Sequence, residues 1–252
     1  MKRLVTSVLV TAVVLLGGCM KVHLETTIGK DGSGTCSIEY GMAREVADAM
    51  DKLQEMDSDT MGGDDMPDFS DMNRDEMEKT CKRAGVKLLA HEYADDAEGR
   101  RLTMTLGFDE VSRLSQVLDE VVVEEGESGS LGIFETEDGN YILKTVATDM
   151  DLDSGEDEDE VDEIQGQDDP ADMQAAMQYM GVLMAHIGDM DIRMDITVPG
   201  EIISSNAMEV EDRTSIWAIN AANMMQAEEM DMEPSIIFSS EGLKIKASKL
   251  AD

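Results

Sequence analysis

Val22-His23-Leu24-Glu25-Thr26-Thr27-Ile28-Gly29-Lys30-Asp31-Gly32-Ser33-Gly34-Thr35-Cys36-Ser37-Ile38-Glu39-Tyr40 alternates, turns and alternates again. Val22, Leu24, Thr26 and Ile28 fall on one side, with His23, Glu25 and Thr27 on the other. That is the period of a half-buried strand. Lys30 to Gly34 is a turn cluster, and Cys36, Ile38 and Tyr40 resume the alternation on the return. Two such runs joined by a short glycine-containing turn read as a β-hairpin.

Downstream, the same device recurs between helices. Met42 to Met56 changes period, with Val46, Met50 and Leu53 at helical spacing, and a short helix from about Asn73 to Arg83 stops at Gly85. A second hairpin runs through Val86, Leu88 and Ala90, turns at Asp95 to Gly99, and returns through Leu102, Met104, Leu106 and Phe108. Asp109 is placed to cap a helix carrying Val111, Leu114, Val117 and Leu118. A third hairpin turns at Asp138-Gly139. The longest predicted helix covers about Ala171 to Ile187, and strands follow at Ile192 to Val198, Ser215 to Ile219, Ser235 to Phe238 and Leu243 to Ala247. Strands arriving in close pairs predict an α+β fold, an antiparallel curved sheet built of hairpins with helices packed on one face.

Upstream of the first hairpin stands Met1 to Met20. Lys2 and Arg3 form a basic head, Leu4 to Leu16 a short apolar run, and Leu16-Gly17-Gly18-Cys19 closes it. The apolar run is too short to span a bilayer and reads as a secretory signal. Its ending resembles the lipobox of bacterial lipoproteins. That resemblance implies cleavage between Gly18 and Cys19 and acylation of Cys19, making the membrane the partner of the mature chain. More than one acyl chain anchors stably. Met20, in place of the aspartate that retains Gram-negative lipoproteins at the inner membrane, favours the outer membrane. The expected organisation is a signal peptide over 1–18 and one lipid-anchored domain over 19–252. Disordered acidic insertions are expected at about 57–72 and 149–170, because such blocks repel themselves and bury little apolar surface.

A net charge of −36 excludes nucleic acid and anionic membrane surfaces as attractive partners. It favours solubility and diffuse cation binding by the acidic segments. Aromatic residues make up only 4 % of the chain, so Leu, Ile, Val and the 22 methionines must build the core. With Cys19 consumed by lipid, Cys36 and Cys81 remain as an even pair in a compartment that permits disulfides, either bridged or as separate buried thiols.

Gly18-Cys19-Met20-Lys21-Val22-His23-Leu24 with the turn Lys30 to Gly34, and later Ile196-Thr197-Val198-Pro199-Gly200-Glu201-Ile202 with Ser205-Asn206 and Trp217, resemble the signatures of LppM-type bacterial lipoproteins. The chain departs from that pattern in lacking a C-terminal transmembrane helix and in carrying Ala207 where glycine is usual. The resemblance implies a curved sheet gripping a helix around an apolar cavity, and with it lipid or hydrophobic-ligand binding.

Met173, Met177, Met180 and Met184 share one face of the longest helix, which suits either a filled core or an adaptable apolar wall. The expected pocket joins them to Ile192, Met194, Ile196 and Trp217. Thioethers are soft ligands suited to Cu(I), but the methionines of Met56 to Met72 are too widely spaced for a copper site; a second cluster stands at Met224 to Met232. The series Asp149, Asp151, Asp153 departs from a calcium loop at Ser154, so no metal site and no cofactor is expected. His23, His91 and His186 stand without a serine elbow, a His-Glu pair or a CxxC, and no phosphate loop is present. The expectation is therefore a non-catalytic, lipid-binding envelope lipoprotein. The alternatives are a structural or protein-interaction lipoprotein with a filled core and, less favoured, copper or cation binding.

Overall fold

The computed structural model describes residues 20–57, 73–122, 129–147, 170–223 and 233–249. The expected signal peptide, the cleavage pair Gly18 and Cys19, and the acidic insertions apart from their end residues Asp57 and Pro170 lie outside the described residues. So do the methionines at 61, 66 and 72 and those from 224 to 232.

The opening hairpin forms as its alternation predicts. Strand β1 (Met20–Ile28) pairs antiparallel with β2 (Gly34–Ala43), from Met20 opposite Met42 to Ile28 opposite Gly34. The turn needs Gly32 at a φ of +88°, a left-handed conformation that a side chain disfavours. A methyl group on Gly34 would run into the Thr27 carbonyl and the Phe108 ring, so the hairpin closes only over glycine there. Helix α1 (Arg44–Asp57) follows without a loop. Helix α2 (Arg74–Ala84) is capped at both ends. Asn73 Oδ1 accepts from the Glu76 amide at 3.1 Å, and Gly85 at a φ of 72° ends the helix.

Strands β3 (Lys87–Asp96) and β4 (Gly99–Phe108) make the second hairpin, with a register shift between Leu88 and Ala90. Helix α3 (Ser112–Val122) begins later than an Asp109 cap would place it; Asp109 instead faces Lys87 at 3.5 Å. Its stripe is placed as expected, with Val111, Leu114 and Val117 buried. Strands β5 (Gly129–Glu135) and β6 (Tyr141–Ala147) form the third hairpin. Helix α4 (Pro170–His186) runs into one 3₁₀ turn at Ile187–Asp189. Six strands follow: β7 (Asp191–Thr197), β8 (Ile202–Ser205), β9 (Glu209–Glu211), β10 (Thr214–Asn220), β11 (Ser235–Phe238) and β12 (Ser248–Lys249).

The fold is α+β, with hairpins dominating the pairing, but the strands divide between two sheets where one was expected. The larger has the order β3-β4-β2-β1-β7-β10-β9, and the smaller β12-β5-β6-β11-β8. Beside β1 lies β7, and the two run parallel, Lys21 opposite Asp191 and Thr27 opposite Thr197. Hairpin logic cannot produce that contact; a parallel neighbour needs a crossover, and α4 leads into it. The expected strand from Leu243 to Ala247 does not form: Leu243, Ile245 and Ala247 pack on the core without joining a ladder, and pairing begins only beyond them, at the two residues of β12.

One core serves both sheets. Ile38, Leu102, Met104, Leu106, Ile196 and Trp217 of the large sheet meet Ile133, Leu143, Ile236 and Phe238 of the small one, with Met77 and Cys81 of α2 and Leu114 and Val117 of α3. Each fully buried aliphatic side chain in that set stabilises by roughly 1.5–3 kcal/mol. A second, smaller cluster of Met42, Val46 and Ala47 lies at the root of α1, with Met20, Met50 and Leu183 packed on it.

Candidate functional site

Four strands of the large sheet carry the apolar side chains singled out by their alternation. Register puts Ile192 between Val22 and Ile219, Met194 between Leu24 and Trp217, and Ile196 between Thr26 and Ser215. These residues therefore share one face. Its covering is graded along the strands: Thr26, Ile28, Ile196 and Val198 are buried, whereas Val22, Leu24, Ile192, Met194, Ile219 and Tyr40, nearer the start of β1, are only half-buried. Trp217 lies at the boundary and is 1 % exposed, yet among the described residues its Nε1–H finds no acceptor. A buried donor left unmet costs about 1–3 kcal/mol, and this one stands where the covering of the face thins, with Leu24, Tyr40 and Met194 packed on the main core but only half-buried.

The helix half of the expected pocket is placed differently. Met177, Met180 and Met184 are 72 %, 52 % and 63 % exposed and do not face Ile192, Met194, Ile196 and Trp217. Met173 stands in the first turn of α4. Half-covered positions on this helix are instead Ala175, Ala176, Tyr179, Val182, Leu183 and His186, a second stripe at helical spacing. That stripe packs on α1: Leu183 rests on the Met42, Val46 and Ala47 cluster, and His186 Nε2 approaches Glu45 Oε2 at 3.4 Å. The physical reason is the partner. Leu183 of α4 packs on the cluster that holds Val46 and Ala47 of α1, and the methionines on the other side of the helix are turned outward. The methionine stripe dominates the sequence pattern because its residues are larger; the Ala175-Tyr179-Val182-Leu183 stripe is equally periodic.

Arginine clamps hold α1 to the hairpin that carries it. Arg100 grips Asp51 through Nη1 at 2.8 Å and Nη2 at 2.5 Å, and Arg44 bonds Asp95 and the Asp96 carbonyl. The Arg44 guanidinium holds the Asp95 carboxyl below the usual carboxylate range. On the opposite, polar face of the large sheet, Arg193 Nε donates to Asp195 Oδ1 at 2.8 Å and His23 Nε2 lies 3.4 Å from Asp195 Oδ2. Arg193 and Asp195 border a hollow of about 400 Å³ lined also by Glu25, Thr197, Glu211 and Arg213. Arg193 and His23 thus form an ion-pair network around Asp195. Among the described residues, no three His, Cys, Asp or Glu side chains converge as a metal site.

A bridge between Cys36 and Cys81 is not formed in the structure, where both are buried thiols of the main core. Cys36 sits mid-strand, its thiol hydrogen-bonded with Thr26 on the neighbouring strand, and burial pushes its pKa up to about 11. Among the described residues no helix is long and apolar enough to cross a membrane.

No protein-family model matches the chain, and no curated protein does. Among solved structures, the chain is similar to the folded domain of Mycobacterium tuberculosis LppM, determined by NMR. That likeness covers 88 % of this chain and 91 % of that one at 14 % identity, with a TM-score of 0.40.

Proposed function

We propose that the mature chain is a non-catalytic envelope lipoprotein, anchored through acylated Cys19, whose domain binds a hydrophobic ligand of the lipid class. The observation that carries the binding half is the graded face of the large sheet: Val22, Leu24, Ile192, Met194 and Ile219 half-buried around the unmet Nε1–H of Trp217. Apolar side chains supply affinity there, and one donor can meet a carbonyl oxygen of the ligand, the usual division of labour in a lipid-sized site. The anchoring half rests on Leu16-Gly17-Gly18-Cys19, followed at once by Met20, where β1 begins. With no linker between anchor and fold, the start of β1 lies against the membrane surface.

Native mass spectrometry of the mature protein released from membranes tests this reading. The expected result is a lipid-sized adduct on the wild type, lost in Met194→Glu, which buries a charge against the same face. Absence of any adduct, together with no saturable uptake of a fluorescent fatty acid, removes the binding half. Anchoring is read separately: metabolic palmitate should label the wild type and not Cys19→Ser, and in a Gram-negative host the label should sediment with the outer membrane.

A further inference from the structure

We infer that the outward face of α4, Met177, Met180, Met184 and the following Ile187, seats on the lipid bilayer beside the anchor. The mature domain is thereby held to the membrane at two points. From Met173 through Gly188 the chain has no acid and no base other than His186, although charged residues make up 30 % of the whole. Such a helix is apolar on both faces, and one face is already used against α1. The other leaves Met177, Met180, Met184 and Ile187 between 41 % and 72 % exposed. A helix apolar all round belongs in a core or in lipid, and a contiguous exposed apolar patch marks an interaction surface.

Position names the occupant. Met20, the residue after Cys19, and Leu183 of α4 pack on the same small cluster of Met42, Val46 and Ala47. Lys21 pairs with Asp191, two residues past the 3₁₀ turn that ends α4. The C-terminal half of the methionine face and the point where the chain enters its anchor are therefore at one end of the molecule. This step rests on the anchoring reading above. Charge argues against a second copy as the occupant, since two chains of net charge −36 repel one another, and it selects lipid without net charge. The patch lacks the Lys and Arg of self-sufficient interfacial helices; it needs the acyl group to raise its effective concentration at the surface. Methionine suits the task because its unbranched side chain adapts to irregular acyl packing.

The test uses the mature acylated protein reconstituted in phosphatidylcholine vesicles carrying bromine on the acyl chains. The wild type, whose single tryptophan is Trp217, is run in the same vesicles, and any quenching of its emission is subtracted. Met180→Trp places an indole on the outward face without touching the core. Its emission should shift to the blue and lose at least about half its intensity in brominated vesicles, a loss abolished by adding Met177→Glu and Met184→Glu while the protein still floats with the vesicles. Circular dichroism of each variant checks that the fold is kept. A protein that floats but is not quenched overturns the docking and leaves the anchor standing. Cross-linked dimers in place of quenching overturn it in favour of a second copy. A protein that neither floats nor is quenched overturns both the anchor and the docking.

Discussion

At Cys36 a single side chain shows how burial governs chemistry. Its thiol, pushed up to about 11 by loss of solvation, stays protonated and unreactive in the folded protein. Ellman's reagent at about pH 8 should therefore find Cys36 and Cys81 silent until the chain is unfolded. In denaturant without reductant, the mature protein should titrate both as thiols; a reading of none would mean that they are bridged. Asp95 responds to its surroundings in the opposite sense. Arg44 depresses its pKa below the ordinary value of 3.8, so its contribution to stability is present above that value and is lost as pH falls through the lower folded one. NMR titration of the carboxyl carbons should place Asp95 below 3.8 in the wild type and return it towards that value in Arg44→Ala.

At the scale of the element, α4 is a helix with two apolar stripes and one packing partner. Its inner stripe is structural, so Leu183→Asp, which puts a charge onto the Met42, Val46 and Ala47 cluster, should cost about 1–3 kcal/mol in urea unfolding. Met184→Ala, one residue along on the outer stripe, should stay within about 0.5 kcal/mol of wild type in the absence of lipid. Equal losses at the two positions would mean that the methionine face is covered by protein after all. By contrast, α2 is settled locally: Asn73 and Gly85 close its ends with bonds legible in the sequence.

For the whole molecule, the question is whether two sheets behave as one body. Leu143 of the small sheet and Trp217 of the large one are buried in the same cluster. Leu143→Ala should lower stability by about 2–5 kcal/mol, and Trp217 fluorescence should report the same shifted midpoint as far-UV circular dichroism. Two separated midpoints, with Trp217 unmoved, would divide the core between the sheets. The half-buried sheet face and the outward α4 face both lie towards the strand ends where the chain meets its proposed anchor. A domain arranged in this way has its half-covered apolar surfaces near the start of β1.

Local patterns along the chain suffice for its local structure, because their signals act over a few residues. Alternation placed β1 and β2, glycine and asparagine placed the ends of α2, and paired strands gave an α+β fold. Alternation also set which side of each strand faces inward, and so gathered Ile192, Met194, Ile196 and Trp217 on one face. What lies beyond hairpin range follows from long-range packing. The parallel pairing of β1 with β7 and the division into two sheets join residues too far apart for any local pattern to encode. The orientation of α4 was undetermined for a different reason. Two stripes were both apolar and both periodic, so the choice fell to the partner surface, and the cluster at the root of α1 took the stripe that carries Leu183 and left the methionines outside.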